Sequence, residues 1–215
     1  GNYWIFGDTA LQRRYLIQTA EEQEANGIMP AYAPLKSDDY MIILDSNLLW
    51  IRSLYQYYLF SGDRITTQKL MDSALKLMAL IHSFTDDLGL INNPPYAYWL
   101  DHSDLDRAGA NFTLNAHYLG ALEDFSQLLQ WMDEEGAMVF KKRARLLKSS
   151  LQTHFWNAEK GLFSDALLES GNSYKCSEHA NGMALALQIA DEDQGKSIID
   201  KLLIDDPNLY IKRTN

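Results

Sequence analysis

The stretch ANFTLNAHYLGALEDFSQLLQWM, residues 110–132, decides the fold class. Its apolar residues Leu114, Tyr118, Ala121, Leu122, Phe125, Leu128, Leu129 and Met132 recur at three- and four-residue intervals. On a helix of 3.6 residues per turn that spacing puts them on one side, so it predicts a long amphipathic helix over 110–132. Working outward, Gly136 breaks the pattern, and a second helix follows. It has Phe140, Ala144, Leu147, Leu151 and Phe155 inward, and Lys141, Lys142, Arg143, Arg145 and Lys148 outward as a solvated basic face.

Upstream, residues 40–60 carry Ile43, Leu44, Leu48, Leu49, Trp50, Ile51, Leu54, Tyr55, Tyr57, Tyr58 and Leu59 on almost every face, which predicts a buried helix with Trp50 in the core. Ser61-Gly62-Asp63 ends it. Asp63 is placed to cap the next helix, whose stripe is Leu70, Ala74, Leu77, Met78, Ile81 and Phe84. Residues 8–24 read as a helix with Leu11, Tyr15 and Ile17 toward the core, stopping at Asn26-Gly27. Residues 28–39, with Pro30, Tyr32 and Pro34, read as a loop. Downstream, 156–177 reads as loop or a small hairpin, and 178–189 and 192–204 as two shorter helices. The fold class is therefore all-α: about seven helices in hairpins whose connections alternate between short and long. Long loops that share one end of such a scaffold make a single functional face.

Composition narrows the partners. The chain has 215 residues, of which 47% are hydrophobic and 22% charged, a globular balance. A net charge of -10 and a pI near 4.9 repel polyanions, so nucleic acid and anionic membrane are excluded as partners. No run of about 18 apolar residues offers a membrane span. The first six residues are too short and uncharged for a signal peptide, and a chain entering aromatic sequence straight after Gly1 reads as the cut edge of a longer protein. The single cysteine, Cys176, excludes an intrachain disulfide and a Cys-based zinc site. His82, His117 and His154 lack partners at ligand spacing, and no phosphate-binding glycine loop, nucleophile elbow or dinucleotide fingerprint is present. No cofactor and no metal are expected.

Two stretches concentrate polar and aromatic chemistry. The first, YAYWLDHSDLDR at 96–107, follows Pro94-Pro95, which keep it extended. Aromatic faces there can stack on a sugar ring while carboxylates accept hydroxyl hydrogen bonds. Asp101, between Trp99 and His102, suits hydroxyl recognition or proton transfer, or it simply turns the chain. Ser103 and Asp106 have capping-box spacing for the helix that follows; Asp104 reads as a cap, and Asp106 either joins the cap or pairs with Arg107. The second stretch is Glu178-His179-Ala180-Asn181 behind Ser177, either ligand contacts or the polar first turn of a capped helix. Asp45 is a charge inside an apolar helix and needs a partner. Asp38 and Asp39 are further loop carboxylates, and Trp156 a further stacking candidate. Asp8 alone reads as an N-cap.

A family resemblance rests on Gly7-Asp8-Thr9-Ala10, Leu44-Asp45-Ser46, Tyr55-Gln56-Tyr57-Tyr58, Ser61-Gly62-Asp63 and Tyr98-Trp99-Leu100-Asp101. Together these resemble the (α/α)6-toroid catalytic domain of bacterial α-L-rhamnosidase-like glycoside hydrolases. The stretch from Ser177 to Leu187 is similar to the opening of a later inner helix in these six-hairpin enzymes. The resemblance covers roughly residues 4–204. It implies rings of inner and outer helices, with 40–60 and 110–132 inner, and a sugar pocket at one end. It also implies a catalytic role for Asp8; weighed on the residues' own chemistry, Asp101 is the other catalytic candidate, and Asp45, Tyr98, Trp99, His102, Asp106, Glu178, His179 and Asn181 are the candidate substrate contacts. The chain departs from the pattern in several places. The family's general acid is a Glu seven residues before the Asp of the Gly-Asp pair, and that count reaches Gly1. The family's Trp sits one residue closer to that Asp than Trp4 does. The family's base lies in a hairpin beyond Asn215, and a full toroid has twelve helices.

The expectation is thus one helical domain over 1–215 that is part of a larger catalytic domain, with exposed inner-helix surface prone to self-association. The leading functional reading is part of a glycosidase acting by inversion through a carboxylate acid and base. The alternatives are a non-catalytic sugar-binding or interaction domain, or another six-hairpin enzyme such as a polysaccharide lyase.

Overall fold

Helices organise the chain, as the apolar spacing requires. A computed structural model describes residues 5–35, 40–100 and 105–203. Among these the order is α1 (Ala10–Glu21), α2 (Leu44–Ser61), α3 (Arg64–His82), β1 (Ala110–Asn111), α4 (Phe112–Met132), α5 (Ala137–His154), β2 (Trp156–Asn157), β3 (Leu162–Phe163), β4 (Ala166–Leu168), β5 (Gly171–Asn172), α6 (Glu178–Ala186) and α7 (Glu192–Leu203). Trp4, Asp38, Asp39, Asp101, His102, Ser103 and Asp104 lie outside the described residues. The chain divides into two compact units: 1–83 with 95–99 and 120–142, and 84–94 with 100–119 and 143–215.

In the first unit α1, α2 and α3 pack on one another around Leu16, Leu48, Trp50, Ile51, Leu54, Ala74, Leu77 and Met78, all at zero exposure. Trp50 is core, as expected, and its indole N–H donates to the Leu16 carbonyl at 3.3 Å. The α2–α3 turn also follows the reading. Gly62 takes the left-handed conformation (φ +64°) that a Cβ would strain, and Asp63 accepts the Thr66 N–H at 3.0 Å and the Tyr57 hydroxyl at 2.6 Å. These bonds hold the Asp63 carboxyl below its ordinary range, at about 2.

Two expectations in this unit are corrected. Leu11 is 64% exposed and Tyr15 38%, while Leu16 and Thr19 are the buried residues of α1. The reason is polar: Gln12 donates to Ser53 O at 2.9 Å, and Gln23 donates to Gly27 O and Ser73 O, so amides satisfy carbonyls on the packed face. Hydrophobic periodicity cannot register that. Nor is α2 buried all round, since Leu49, Leu59 and Phe60 reach water. Its other polar face carries Arg52, paired with Asp124 at 2.9 Å, and Tyr55 stacks on Trp131 with ring centroids 5.2 Å apart.

In the second unit Phe112 meets Phe155 edge-on at 5.4 Å and Phe163 at 5.1 Å. α4 starts at Phe112 because Ala110 and Asn111 pair with Leu167 and Ala166 as a strand. All eight residues of its expected stripe are buried, in whichever unit they fall. The expected small hairpin over 156–177 is two: β2 pairs with β3, and β4 pairs with both β5 and β1. Gly109 (φ +68°) enters β1 so closely that a Cβ would collide with the Leu167 carbonyl.

One local device recurs inside both units. The fourth residue of α2, α4 and α6 is a buried asparagine. Asn47 accepts the Met29 N–H at 2.9 Å and donates to Met29 O at 3.0 Å and Ile43 O at 3.1 Å. Asn115 treats Ile91 the same way (2.7 and 3.0 Å) and donates to Asn111 O at 2.9 Å. Asn181 does so to Phe163 (2.8 and 3.0 Å) and to Ser177 O at 2.9 Å. A carboxamide offers one acceptor and two donors, so it pairs like a strand with a loop residue and also closes the first helical turn.

Candidate functional site

In the first unit, the loop bearing the aromatic pair is tied to the start of α2. Asp45, the second residue of that helix and 9% exposed, accepts the Trp99 N–H at 2.9 Å. One residue earlier, Leu44 N–H donates to Ala97 O at 2.8 Å. Tyr96 joins in through its hydroxyl, which accepts from Asn26 at 3.3 Å. Trp99 is 51% exposed and Tyr98 half-buried, so an aromatic surface faces solvent from a fixed backbone. Acidic side chains crowd the neighbouring loop, and the Tyr40 hydroxyl is pushed up to about 12 by burial and by the Glu24 carboxylate. Asp8 is exposed, and its carboxylate accepts the Ala10 N–H at 2.8 Å in a local turn; the N-cap position of α1 is Thr9 and not Asp8, the residue the sequence suggests. A separate open groove of about 390 Å³, lined by Arg13, Ile17, Glu21, Thr66, Lys69 and Ser73, contains none of the expected site residues.

In the second unit Asp106 is neither a cap residue nor the partner of Arg107. Its carboxylate accepts the Ser173 hydroxyl and lies 3.5 Å from Lys175 Nζ, and its carbonyl accepts from Asn111 at 2.8 Å. The cap of α4 is Asn111, which accepts the Leu114 N–H at 2.9 Å. The capping-box reading fails because 105–111 runs through Gly109 into a strand before the helix begins.

Beside Asp106 stands Asp165, a residue the sequence reading missed. It is 1% exposed, accepts the Ser177 N–H at 2.8 Å through Oδ1, and its Oδ2 makes no hydrogen bond among the described residues. Burial pushes its carboxyl up, the Ser177 bonds pull it down, and the Asp106 carboxylate pushes it up further. No local signal marks Asp165, because its neighbours come from distant sequence.

Ser177 caps α6 as expected, accepting the Ala180 N–H at 3.1 Å. Glu178 and His179 are half-buried in the first turn. Asn181, read from sequence as a substrate contact, is fully buried with both amide atoms committed to Phe163 and Ser177. It holds the loop before α6 and has no polar surface left to offer a ligand. Among the described residues no group of three His, Cys, Asp or Glu is placed to hold a metal ion, and no helix is long and apolar enough to cross a membrane.

Short turns between helices, long connections bearing aromatic and acidic residues, and a bracket fixing each long connection to the next helix define a helical-hairpin scaffold. The profile of the bacterial alpha-L-rhamnosidase 6 hairpin glycosidase domain matches residues 1–213, and the chain belongs to that family. Among solved structures it is similar to the GH78 family rhamnosidase of Bacillus sp. GL1, with TM-score 0.86 and 22% identity, covering 97% of this chain and 22% of that one. It is similar to the rhamnosidase from Klebsiella oxytoca with rhamnose bound, with TM-score 0.81 and 19% identity over 96% of this chain and 39% of that one. The Streptomyces avermitilis α-L-rhamnosidase complexed with L-rhamnose aligns at TM-score 0.60 and 17% identity, covering 88% and 17%. At these identities the likeness is one of fold. The chain spans 22% and 39% of the length of the first two structures. No curated protein matches the sequence.

Proposed function

We propose that this chain is the six-hairpin part of an α-L-rhamnosidase-like glycoside hydrolase, and that the parent protein cleaves α-L-rhamnosides by carboxylate acid and base chemistry. The observation that carries the reading is the family match over residues 1–213. The exposed Trp99 and half-buried Tyr98 on a loop pinned to α2 support it, since a rigid aromatic face is what a sugar ring stacks on. Inverting glycosidases set an acid and a base roughly 6.5–9.5 Å apart, one protonating the leaving oxygen and one activating water. Asp8 and Asp101 are the candidates this chain brings to that chemistry. Tyr98, Trp99, His102, Glu178 and His179 are the candidate sugar contacts. The remaining catalytic groups come from the rest of a larger domain, in keeping with the 22% and 39% coverage of the two structures.

The test is turnover of an aryl α-L-rhamnoside. The full-length parent is expected to be active, and Asp8→Asn and Asp101→Asn each to lower its kcat by about 10²-fold or more. A parent inactive on every glycoside would sink the enzyme reading. For the isolated 215 residues, self-association through exposed inner-helix surface is expected, and Leu49, Leu59 and Phe60 of α2, which reach water, support it. Light scattering showing a monomer at high concentration would remove that part.

A further inference from the structure

We propose that Asp45 is a positioning residue for the aromatic pair Tyr98-Trp99. It sets the backbone from which those rings meet a sugar, and it does not itself touch the sugar. The inference rests on the proposed sugar-binding function of this loop and adds a residue role within it.

Three observations carry it. First, Asp45 is 9% exposed and spends an oxygen on the Trp99 N–H at 2.9 Å, whereas Trp99 itself is 51% exposed. The carboxylate is inside and the ring outside. Second, the bond belongs to a pair. Leu44 N–H holds Ala97 O and Asp45 holds Trp99 N–H, so consecutive residues of α2 grip the chain on both sides of Tyr98. The backbone carrying Tyr98 is thereby held at both its neighbours. Third, the backbone turns sharply straight afterwards, at Leu100, with φ +46° and 5% exposure. A left-handed Leu is costly and persists only where its surroundings hold it. Upstream, Pro94 and Pro95 already limit the chain. The Asp45 bond is a side-chain restraint at the point where the ring is presented.

Positioning and direct charge make different demands on the side chain. An asparagine still offers an oxygen to the Trp99 N–H but has no charge; an alanine offers neither. In the full-length parent, Asp45→Ala is expected to speed hydrogen exchange of the Trp99 amide by about tenfold or more, and to raise KM for 4-nitrophenyl α-L-rhamnoside by about tenfold with kcat changed less than about threefold. Asp45→Asn is expected to restore most of both, with a KM increase no larger than about threefold. A thermal melt checks that each variant is folded, and the Asn variant carries the test if the Ala variant is not. Unchanged exchange at Trp99 in Asp45→Ala, or in the Asn variant a protected Trp99 amide with kcat lost by about 10²-fold or more, would overturn the proposal, the latter by assigning the charge to the chemistry. If the wild-type parent turns over no rhamnoside, the functional reading fails, while the exchange measurement still decides whether Asp45 holds the loop.

Discussion

At the scale of single residues, the difference between Asp63 and Asn181 is whether the partner is near in sequence. Asp63 caps a helix that begins one residue later, and its carboxyl sits at about 2 instead of its usual 3.8. A depressed folded-state pKa gives stability that is present above the ordinary value and is lost as the pH falls from about 4 through about 2. Asp63→Asn keeps a capping oxygen, so it is expected to cost no more than about 1 kcal/mol at neutral pH while flattening the acid limb of a urea midpoint measured against pH. A limb unchanged in that variant would assign the acid sensitivity to other carboxylates. Asn181 is different, because its partner Phe163 lies 18 residues upstream. Asn181→Ala leaves the Phe163 N–H and carbonyl unpaired in a site at zero exposure, and is expected to cost about 3 kcal/mol by chemical denaturation. Cap chemistry was legible in the sequence. The three buried asparagines were not, since an asparagine in a first turn reads equally well as a surface contact.

Elements show the same division. The stripes of α3 and α4 were legible because one face of each is apolar, and the structure buries them where the spacing put them, except Phe84, which lies past the end of α3 and is half-buried. α1 was misread because its packed face is made partly of Gln12, Thr19 and Gln23. Stability measurements should reproduce that inversion: Leu11→Lys is expected to change stability by less than about 0.5 kcal/mol, and Leu16→Ala to lower it by about 3 kcal/mol. Comparable losses from both would mean that α1 is rotated from the orientation described. The three-stranded sheet was illegible for another reason. β1 is two residues long and pairs with a strand more than fifty residues away, so no local alternation announces it. Gly109→Ala tests that pairing. With a Cβ aimed at the Leu167 carbonyl and a left-handed backbone, it is expected to destabilise by about 3 kcal/mol or more and to raise hydrogen exchange in 166–168.

At the scale of the whole molecule, the short motifs from Gly7-Asp8-Thr9-Ala10 to Tyr98-Trp99-Leu100-Asp101 made the family legible in the sequence, and the match over 1–213 bears the resemblance out. Which long-loop residues share a site was less legible, because that depends on how loops are anchored and not on what they contain. Asp106 and Asp45 were both candidate ligand contacts in the sequence, and the structure pairs each with a segment more than fifty residues away, Asp106 with Ser173 and Lys175 and Asp45 with the Trp99 N–H. The brackets at Asn47, Asn115 and Asn181 carry a further consequence. Each grips one residue upstream and the helix start together, so the chain between them is a loop whose two ends are fixed whatever it contains. The closure cost of such a loop grows only slowly with its length. Insertions and substitutions at exposed positions in these loops, such as beside Asn92 or Tyr174, are therefore expected to leave the helix that follows in place, unlike a change at Gly109. The brackets thereby uncouple the position of each helix from what the connection before it carries.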